Sequence, residues 1–527
     1  MLNWLNDAVF YQIYPTSFFD YNGDGIGDLK GIESKVEYIK SLGVDAVWIN
    51  PFYESPFNDG GYDISNYYKI DKKFGNLKDL KKLIQTFKSH GLKVIFDLVI
   101  GHTSDKHPWF IKSQKDSKQY SDYYIWADKP YDDIPKLVCG KIKNKGGYIC
   151  NFYDIQPALN FGYNQTDNRY DWQHHYKDER LKPLRDEIIA LMRFYLDMGI
   201  DGFRVDMAAT LVKGGKTFNF DDPFTDTNKG LEGIIWLWNQ IIPPLRKDYK
   251  DIVFIAEWDV PQDSVGKSGF DLDFCTHDSV FFNELYRNEP NTNLDTFYEK
   301  GDNYFSENGK GSLENFCKYL EFLYSKIEEK GCVILPTGTH DEIRMPTFKS
   351  HDLVKTIFAF LLSIKQVPMI YYGDEIGITH NFNVDKDGGG KRTGARTPML
   401  WTEGLNNGFS TAKDLYLPIK KQEGITVESQ ENDSNSLLSV VKKLIKIRKE
   451  NHCLHVNSKQ EFISKNYPCI IKRFDDKEEI IIAINPSNNV YQLKYYGYKV
   501  LIKENVIIEN NLYTLQKQSF ILLKKEI

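Results

Sequence analysis

The chain has 527 residues, and its 67 basic against 73 acidic side chains give a net charge of −6. That length implies one large domain with one or two smaller ones, while 41% hydrophobic and 27% charged residues exclude long disorder or a fibrous repeat. The near balance of charge offers no footprint for a polyanion or an acidic membrane, so no nucleic acid and no membrane partner is expected. Seven cysteines (Cys139, Cys150, Cys275, Cys317, Cys332, Cys453, Cys469) are scattered without a CxxC pair, which predicts reduced thiols rather than disulfides or zinc. The opening segment MLNWLNDAVFYQIYP lacks a basic stretch followed by an apolar run, and no 18-residue apolar segment occurs; a cytoplasmic enzyme, acting as a monomer, is the expectation.

In chain order, short apolar runs alternate with amphipathic stretches: AVFYQIYP at 8–15, VDAVWIN at 44–50, KVIFDLVI at 93–100, GIDGFRVD at 199–206 and DIVFIAE at 251–257. Between them, Leu80, Leu83, Ile84 and Phe87 share one helical face, as do Ile188, Leu191, Met192, Tyr195 and Leu196. FDLDF (270–274), CVILPTG (332–338) and VPMIYYG (367–373) bring the strands to eight. Strand–helix alternation of this count predicts an α/β fold, a closed (β/α)8 barrel, over 1–102 and 166–457. Residues 103–165, after the third strand, lack helix-length periodicity and read as an inserted subdomain. Residues 458–527 alternate as strands and predict a small antiparallel β domain.

Asp97, His102, Arg204, Asp206, Glu257, His340 and Asp341 fall at or just beyond the C-terminal ends of predicted strands, ends that a barrel opens onto one face. Glycoside hydrolysis needs one carboxylate at the anomeric carbon and a second, protonated, at the leaving oxygen; Asp206 and Glu257 can fill those parts. Arg204 alternates with Asp206 along a strand, so both point inward and the guanidinium can hold the aspartate ionised. Glu257 follows the apolar run VFIA and precedes Trp258, surroundings that suit a proton donor. The stretch from Asp20 to Asp28 places oxygens at alternate positions among glycines, as a Ca2+ loop does. Gly31 stands where a helix–loop–helix site has its bidentate Glu, and a metal-free Asx/Gly turn is the alternative.

DLVIGH (97–102), GFRVD (202–206), IAEW (255–258) and THD (339–341) resemble the four signature segments of the α-amylase family of glycoside hydrolases. The likeness extends to YQIYPTSF, NPFYESP, GGYDI and ARTPMLW, and QPALN (156–160) is similar to the QPDLN of the oligo-1,6-glucosidase group. The resemblance implies a barrel, an inserted subdomain and a C-terminal β sandwich. It implies double displacement through glycosyl-Asp206, with Glu257 as acid/base and Asp341 as transition-state stabiliser. His102, His340, Tyr62 and Arg204 would contact the sugar. It further implies a structural Ca2+, or Mg2+, held by Asp20, Asn22, Asp24, the Ile26 carbonyl and Asp28.

In the resembling α-glucosidases an aspartate at the place of Asp59 pairs with an arginine of the segment GKRTGARTPM to close the pocket beyond one glucose; Arg392 and Arg396 are the candidates. Endo-amylases usually carry Lys-His where Ala209 and Thr210 stand here, so short substrates are expected. Gly101 replaces the family's usual asparagine, a ligand of the inter-domain calcium in α-amylases, and that second site is not expected. Met207 and Ala158, at two places tied to linkage, leave linkage open. Expected is an exo-acting α-glucosidase on malto- or isomalto-oligosaccharides. The alternatives are a glucosyl transferase or disaccharide isomerase of the trehalose-synthase or sucrose-isomerase kind, a more endo-acting amylase, or a non-catalytic transporter heavy chain.

Overall fold

The computed structural model describes residues 1–115, 117–127, 146–168, 170–214, 227–275, 283–287, 302–327 and 329–526. Eight parallel strands close a barrel: β1 Phe10–Ile13, β2 Ala46–Ile49, β3 Lys93–Leu98, β4 Gly202–Val205, β5 Val253–Ala256, β6 Leu272–Phe274, β7 Cys332–Pro336 and β8 Val367–Tyr371. Each pairs with its sequence neighbours, and β8 returns to β1 through Phe10 opposite Met369. All eight coincide with the runs read from the sequence.

Alternation of side chains along each strand builds two cores. Phe10, Ala46, Trp48, Ile95, Val253, Ile255, Leu272, Ile334 and Met369 fill the barrel interior, whereas Tyr11, Val47, Val94, Phe96, Phe203 and Phe254 face the surrounding helices. The helix Leu77–Ser89 is fixed at its start by a capping box between Asn76 and Asp79, and it buries the expected Leu80, Leu83, Ile84 and Phe87. Each such side chain contributes about 1.5–3 kcal/mol on burial. Toward the C-terminal ends the inward positions turn polar: β3 ends with inward Asp97, β4 carries Arg204 with Asp206 next, and Glu257 follows β5.

After β3 the chain leaves the barrel. The helix Pro108–Gln114 lies in the region read as lacking helices; seven residues make two turns, too few to repeat an apolar period, and capping by His107 with Pro108 in the first turn specifies it instead. Six cysteines are free and buried, and Cys139 lies outside the described residues.

The tail forms one antiparallel sheet of β9 Lys459–Ser464, β10 Cys469–Phe474, β11 Glu478–Asn485, β12 Tyr491–Lys494, β13 Lys499–Glu509 and β14 Leu512–Glu526. The expected sandwich is thus a single sheet curled on itself. The 15-residue β14 pairs with β13 along one edge and with β12 and then β11 along the other. Irregularities in β13 at Val500/Ile502 and Glu504/Val506 bend the sheet. One face, with Ile471, Ile482 and Leu522, packs on the barrel's helices; the other, with Ile470, Ile481, Ile521 and Leu523, fills the curl. Among the described residues no helix is long and apolar enough to cross a membrane.

Candidate active site

One guanidinium organises the carboxylates at the mouth of the barrel. Arg204 Nη1 donates to Asp97 Oδ1 and to Asp206 Oδ1, both at 2.9 Å, and Nη2 pairs with Glu257 Oε1. All four side chains are buried, and the Arg204 guanidinium lies 4.9 Å from the Trp48 ring below it. Burial, and then the charge of Glu257, raise the Asp206 carboxyl well above the ordinary range, outweighing the attraction of Arg204. The sequence assigned the cation to Asp206 alone; three carboxylates divide it. Nor does Glu257 sit in apolar surroundings. Residues alternate along a strand, so its side chain turns inward to Arg204, while Oε2 accepts the Met207 N–H at 2.7 Å. Met207 adopts φ +44° to present that N–H, a left-handed conformation that is uncommon outside glycine.

The turn after Glu257 is held by Asp273, on β6. Its buried carboxylate accepts N–H groups from Trp258, Asp259 and Val260 at 3.1–3.2 Å and the Ser264 hydroxyl at 2.5 Å.

A second chain of contacts starts at Gln12 on β1. Gln12 Nε2 donates to Asn50 Oδ1 at 2.8 Å, Asn50 Nδ2 to the Tyr62 hydroxyl at 2.8 Å, and that hydroxyl to Asp97 Oδ2 at 2.8 Å. The same two amides face His340 Nδ1 at 3.0 and 3.2 Å. Two donors on Nδ1 place the imidazole proton on Nε2, which lies 3.0 Å from Asp341 Oδ2. Burial lowers the His340 pKa, keeping the ring neutral. Tyr62 stacks on that ring at 5.2 Å with planes 6° apart.

Asp341 also binds Arg392 Nη1 at 3.0 Å and Arg396 Nη2 at 2.7 Å. Burial raises its carboxyl, but His340 and the two arginines outweigh burial and hold it well below the carboxylate range. Arg392 reaches Asp59 at 3.5 Å, and Gln156 Nε2 donates to the other Asp59 oxygen at 2.7 Å. Arg396 is buried and fastens this wall: its Nε donates to the His340 carbonyl at 2.8 Å. Gly60, at φ +56°, lets the chain pass it, because a Cβ there would lie 2.5 Å from Arg396 Nη1.

His102 is buried, with Nε2 facing the Tyr62 carbonyl at 3.2 Å; burial lowers its pKa to about 4. Its Nδ1 faces Asn151 Nδ2 at 3.5 Å, and Asn151 Oδ1 accepts from Lys213 Nζ at 2.7 Å. Lys213 also donates to the Thr210 carbonyl at 3.0 Å, so one ammonium ties the inserted segment to the loop after β4. Gly101 makes room: a Cβ there would lie 2.8 Å from Asn151 Nδ2. The structure therefore brings Asp59, Tyr62, His102, Arg204, Asp206, Glu257, His340, Asp341, Arg392 and Arg396 to one mouth. Gln12, Asn50, Gln156 and Asp273 carried no sequence signal beyond their places in YQIYP, NPFYESP, QPALN and FDLDF, and Asn151 and Lys213 lie in none of these segments.

The loop Asp20–Asp28 stands apart from this cluster. Asp20 accepts N–H groups of Gly23 and Gly25 at 2.7 Å, Asn22 that of Asp24 and Asp24 that of Ile26 at 2.9 Å, and Asp28 that of Gly31 at 2.7 Å. Its hard oxygens suit Ca2+ in kind, and a carboxylate keeps lone pairs beyond one N–H bond. Among the described residues, however, no three His, Cys, Asp or Glu side chains are gathered as a metal site needs. A cation would have to draw Asp20, Asp24 and Asp28 together.

Comparison with known proteins agrees with this geometry. Residues 12–457 match the alpha-amylase catalytic domain. The chain is 28% identical to an oligo-1,6-glucosidase of Heyndrickxia coagulans over 93% of each chain. It is 30% identical to a glucan 1,6-alpha-glucosidase of Streptococcus pneumoniae, covering 96% of this chain and 95% of that one. Its fold matches an isomaltulose synthase variant of Erwinia rhapontici, solved with its natural substrate sucrose, at a TM-score of 0.83 and 26% identity over 99% of both chains. The chain belongs to the α-amylase family of glycoside hydrolases. Within that family its relatives make it an α-glucosidase-like enzyme.

Proposed function

We propose that this enzyme is a retaining, exo-acting α-glucosidase that removes terminal glucosyl residues from short malto- or isomalto-oligosaccharides. The observation that carries the reading is that Asp206 and Glu257 share one guanidinium. That is a short bridge, suited to the spacing of about 5–5.5 Å of a retaining pair rather than the wider gap of an inverting one. Asp206 attacks the anomeric carbon while Glu257 gives its proton to the departing oxygen; a water, deprotonated by Glu257, then releases glucose from the aspartyl ester. Arg204 keeps Asp206 oriented and partly neutralised. Asp341, anionic between His340 and two arginines, accepts sugar hydroxyls, and Tyr62, His102 and His340 line the glucose. The Asp59–Arg392 contact forms the far wall that limits the pocket to one sugar. The loop Asp20–Asp28 would hold a structural Ca2+ with no part in the chemistry.

A screen of maltose, isomaltose, sucrose, trehalose and maltotriose with wild type and Asp206→Asn tests this. Glucose release should fall about 10⁴- to 10⁶-fold in the variant, and comparable rates in the two proteins would overturn the assignment. The structural likeness to isomaltulose synthase favours a second reading, in which a sugar rather than water takes glucose from Asp206. Isomers or new linkages appearing at high substrate would select it.

A further inference from the structure

β6 carries a carboxylate where the outer layer of the barrel is otherwise apolar. Asp273 is fully buried, and its register partners, Ala256 on β5 and Val333 on β7, both belong to the core that faces the helices. Taking a carboxylate out of water is costly unless hydrogen bonds replace it. Among the described residues four donors do so. Oδ1 accepts the Trp258 and Asp259 N–H groups at 3.1 and 3.2 Å, and Oδ2 the Val260 N–H at 3.2 Å and the Ser264 hydroxyl at 2.5 Å. Three successive N–H groups reach one anion because Asp259 adopts φ +60°, a left-handed conformation that residues other than glycine rarely take. All three follow Glu257 directly.

The first of these bonds acts on Glu257 itself. The Trp258 N–H is one end of the peptide unit whose other end is the Glu257 carbonyl, and that carbonyl accepts the Ala208 N–H at 3.0 Å. The loop after β4 therefore grips this unit on one side and β6 grips it on the other, which fixes ψ of Glu257. The Glu257 N–H, bonded to the Val205 carbonyl at 3.1 Å, anchors the preceding peptide as well. We propose that Asp273 is a positioning residue for the proton donor: by anchoring the turn 258–260 it sets the backbone from which the Glu257 carboxyl is aimed at the departing oxygen. This rests on the reading of Glu257 as acid/base. A general acid is worth about 10²- to 10⁴-fold only within hydrogen-bond reach of its target. An apolar residue at 273 would fill the core without securing that reach. Asp273 lies on the helix side of the strand and acts only through the backbone.

An amide at 273 can still accept from Trp258 and Asp259 but turns an NH2 toward the Val260 N–H, so Asp273→Asn loosens the turn at nearly constant volume. The test compares kcat/KM for maltose, whose departing oxygen needs a proton, with that for α-glucosyl fluoride, whose fluoride leaves without one. For Asp273→Asn we expect maltose to fall about tenfold or more and the fluoride by less than about threefold. Ser264→Ala, which removes one of the four donors, should shift the ratio of the two substrates in the same sense by a smaller factor. Equal falls on both substrates, or an unchanged ratio, overturn the inference. Should Asp273→Asn yield no folded protein, the ratio in Ser264→Ala decides alone, and a wild-type ratio there overturns it. Glu257→Gln is the control. If it discriminates between the substrates while Asp273→Asn does not, the positioning role fails by itself; if Glu257→Gln loses both alike or neither, the acid/base reading fails and the inference with it.

Discussion

Arg392→Ala isolates the wall of the pocket from its chemistry. Arg392 contributes two contacts: 3.0 Å to Asp341 and 3.5 Å to Asp59, with its side chain 27% exposed. The shorter is a charge-assisted hydrogen bond of about 1.5–3 kcal/mol. The longer, partly solvated one is worth under about 1 kcal/mol. Arg396, fully enclosed and 2.7 Å from the same Asp341 oxygen, keeps that carboxylate anionic and in place, so the damage is bounded. At one decade per 1.4 kcal/mol, the contact to Asp341 alone sets a fall in kcat/KM for maltose of roughly 10- to 150-fold. Loss of the wall should also let longer chains enter, so the deficit should shrink from maltose to maltotriose to maltoheptaose. Steady-state kinetics on that series decides the matter. A fall of equal size at every length, or of less than threefold on maltose, would refute a wall made by this pair.

Three further outcomes are expected. His102 titrates near 4 in the fold against about 6.5 unfolded, so between those values the unfolded chain binds more protons. Its contribution is complete above pH 6.5 and lost as pH falls through 4. Thermal midpoints of His102→Gln should therefore decline less steeply over that window than wild type. Ca2+ at 100 times its Kd should add about 2.7 kcal/mol to stability, a rise that Asp24→Ala abolishes; equal melting with Ca2+ and with chelator would leave the loop a purely hydrogen-bonded turn. Lys213→Met should lower the thermal midpoint and raise KM more than it lowers kcat, because it frees Asn151 and with it the surroundings of His102; an unchanged KM would deny the link.

The barrel was legible because each strand is a compact apolar run and each helix repeats an apolar face, patterns that survive without any knowledge of the partners. Arg204, Asp206 and Glu257 were legible for a related reason: strand ends in a barrel converge whatever the loops do. What failed was inference from sequence neighbours to surroundings. Glu257 follows VFIA yet meets a guanidinium from the adjacent strand, because the pleat sends successive side chains to opposite faces. Amides gave no signal at all. Gln12, Asn50 and Gln156 are ordinary residues in sequence, and only tertiary placement aligns them with Tyr62, His340 and Asp59. The curl of the tail was equally hidden, since it depends on one long strand switching partners along its edge.

The join at Lys213 has an operational consequence. A positive charge that belongs to the chain cannot be stripped by a chelator, diluted away or exchanged for another ion, so the seam between inserted segment and barrel should ignore EDTA. Its weakness is alkali instead: burial brings the Lys213 ammonium down to about 8, so mild base removes the charge.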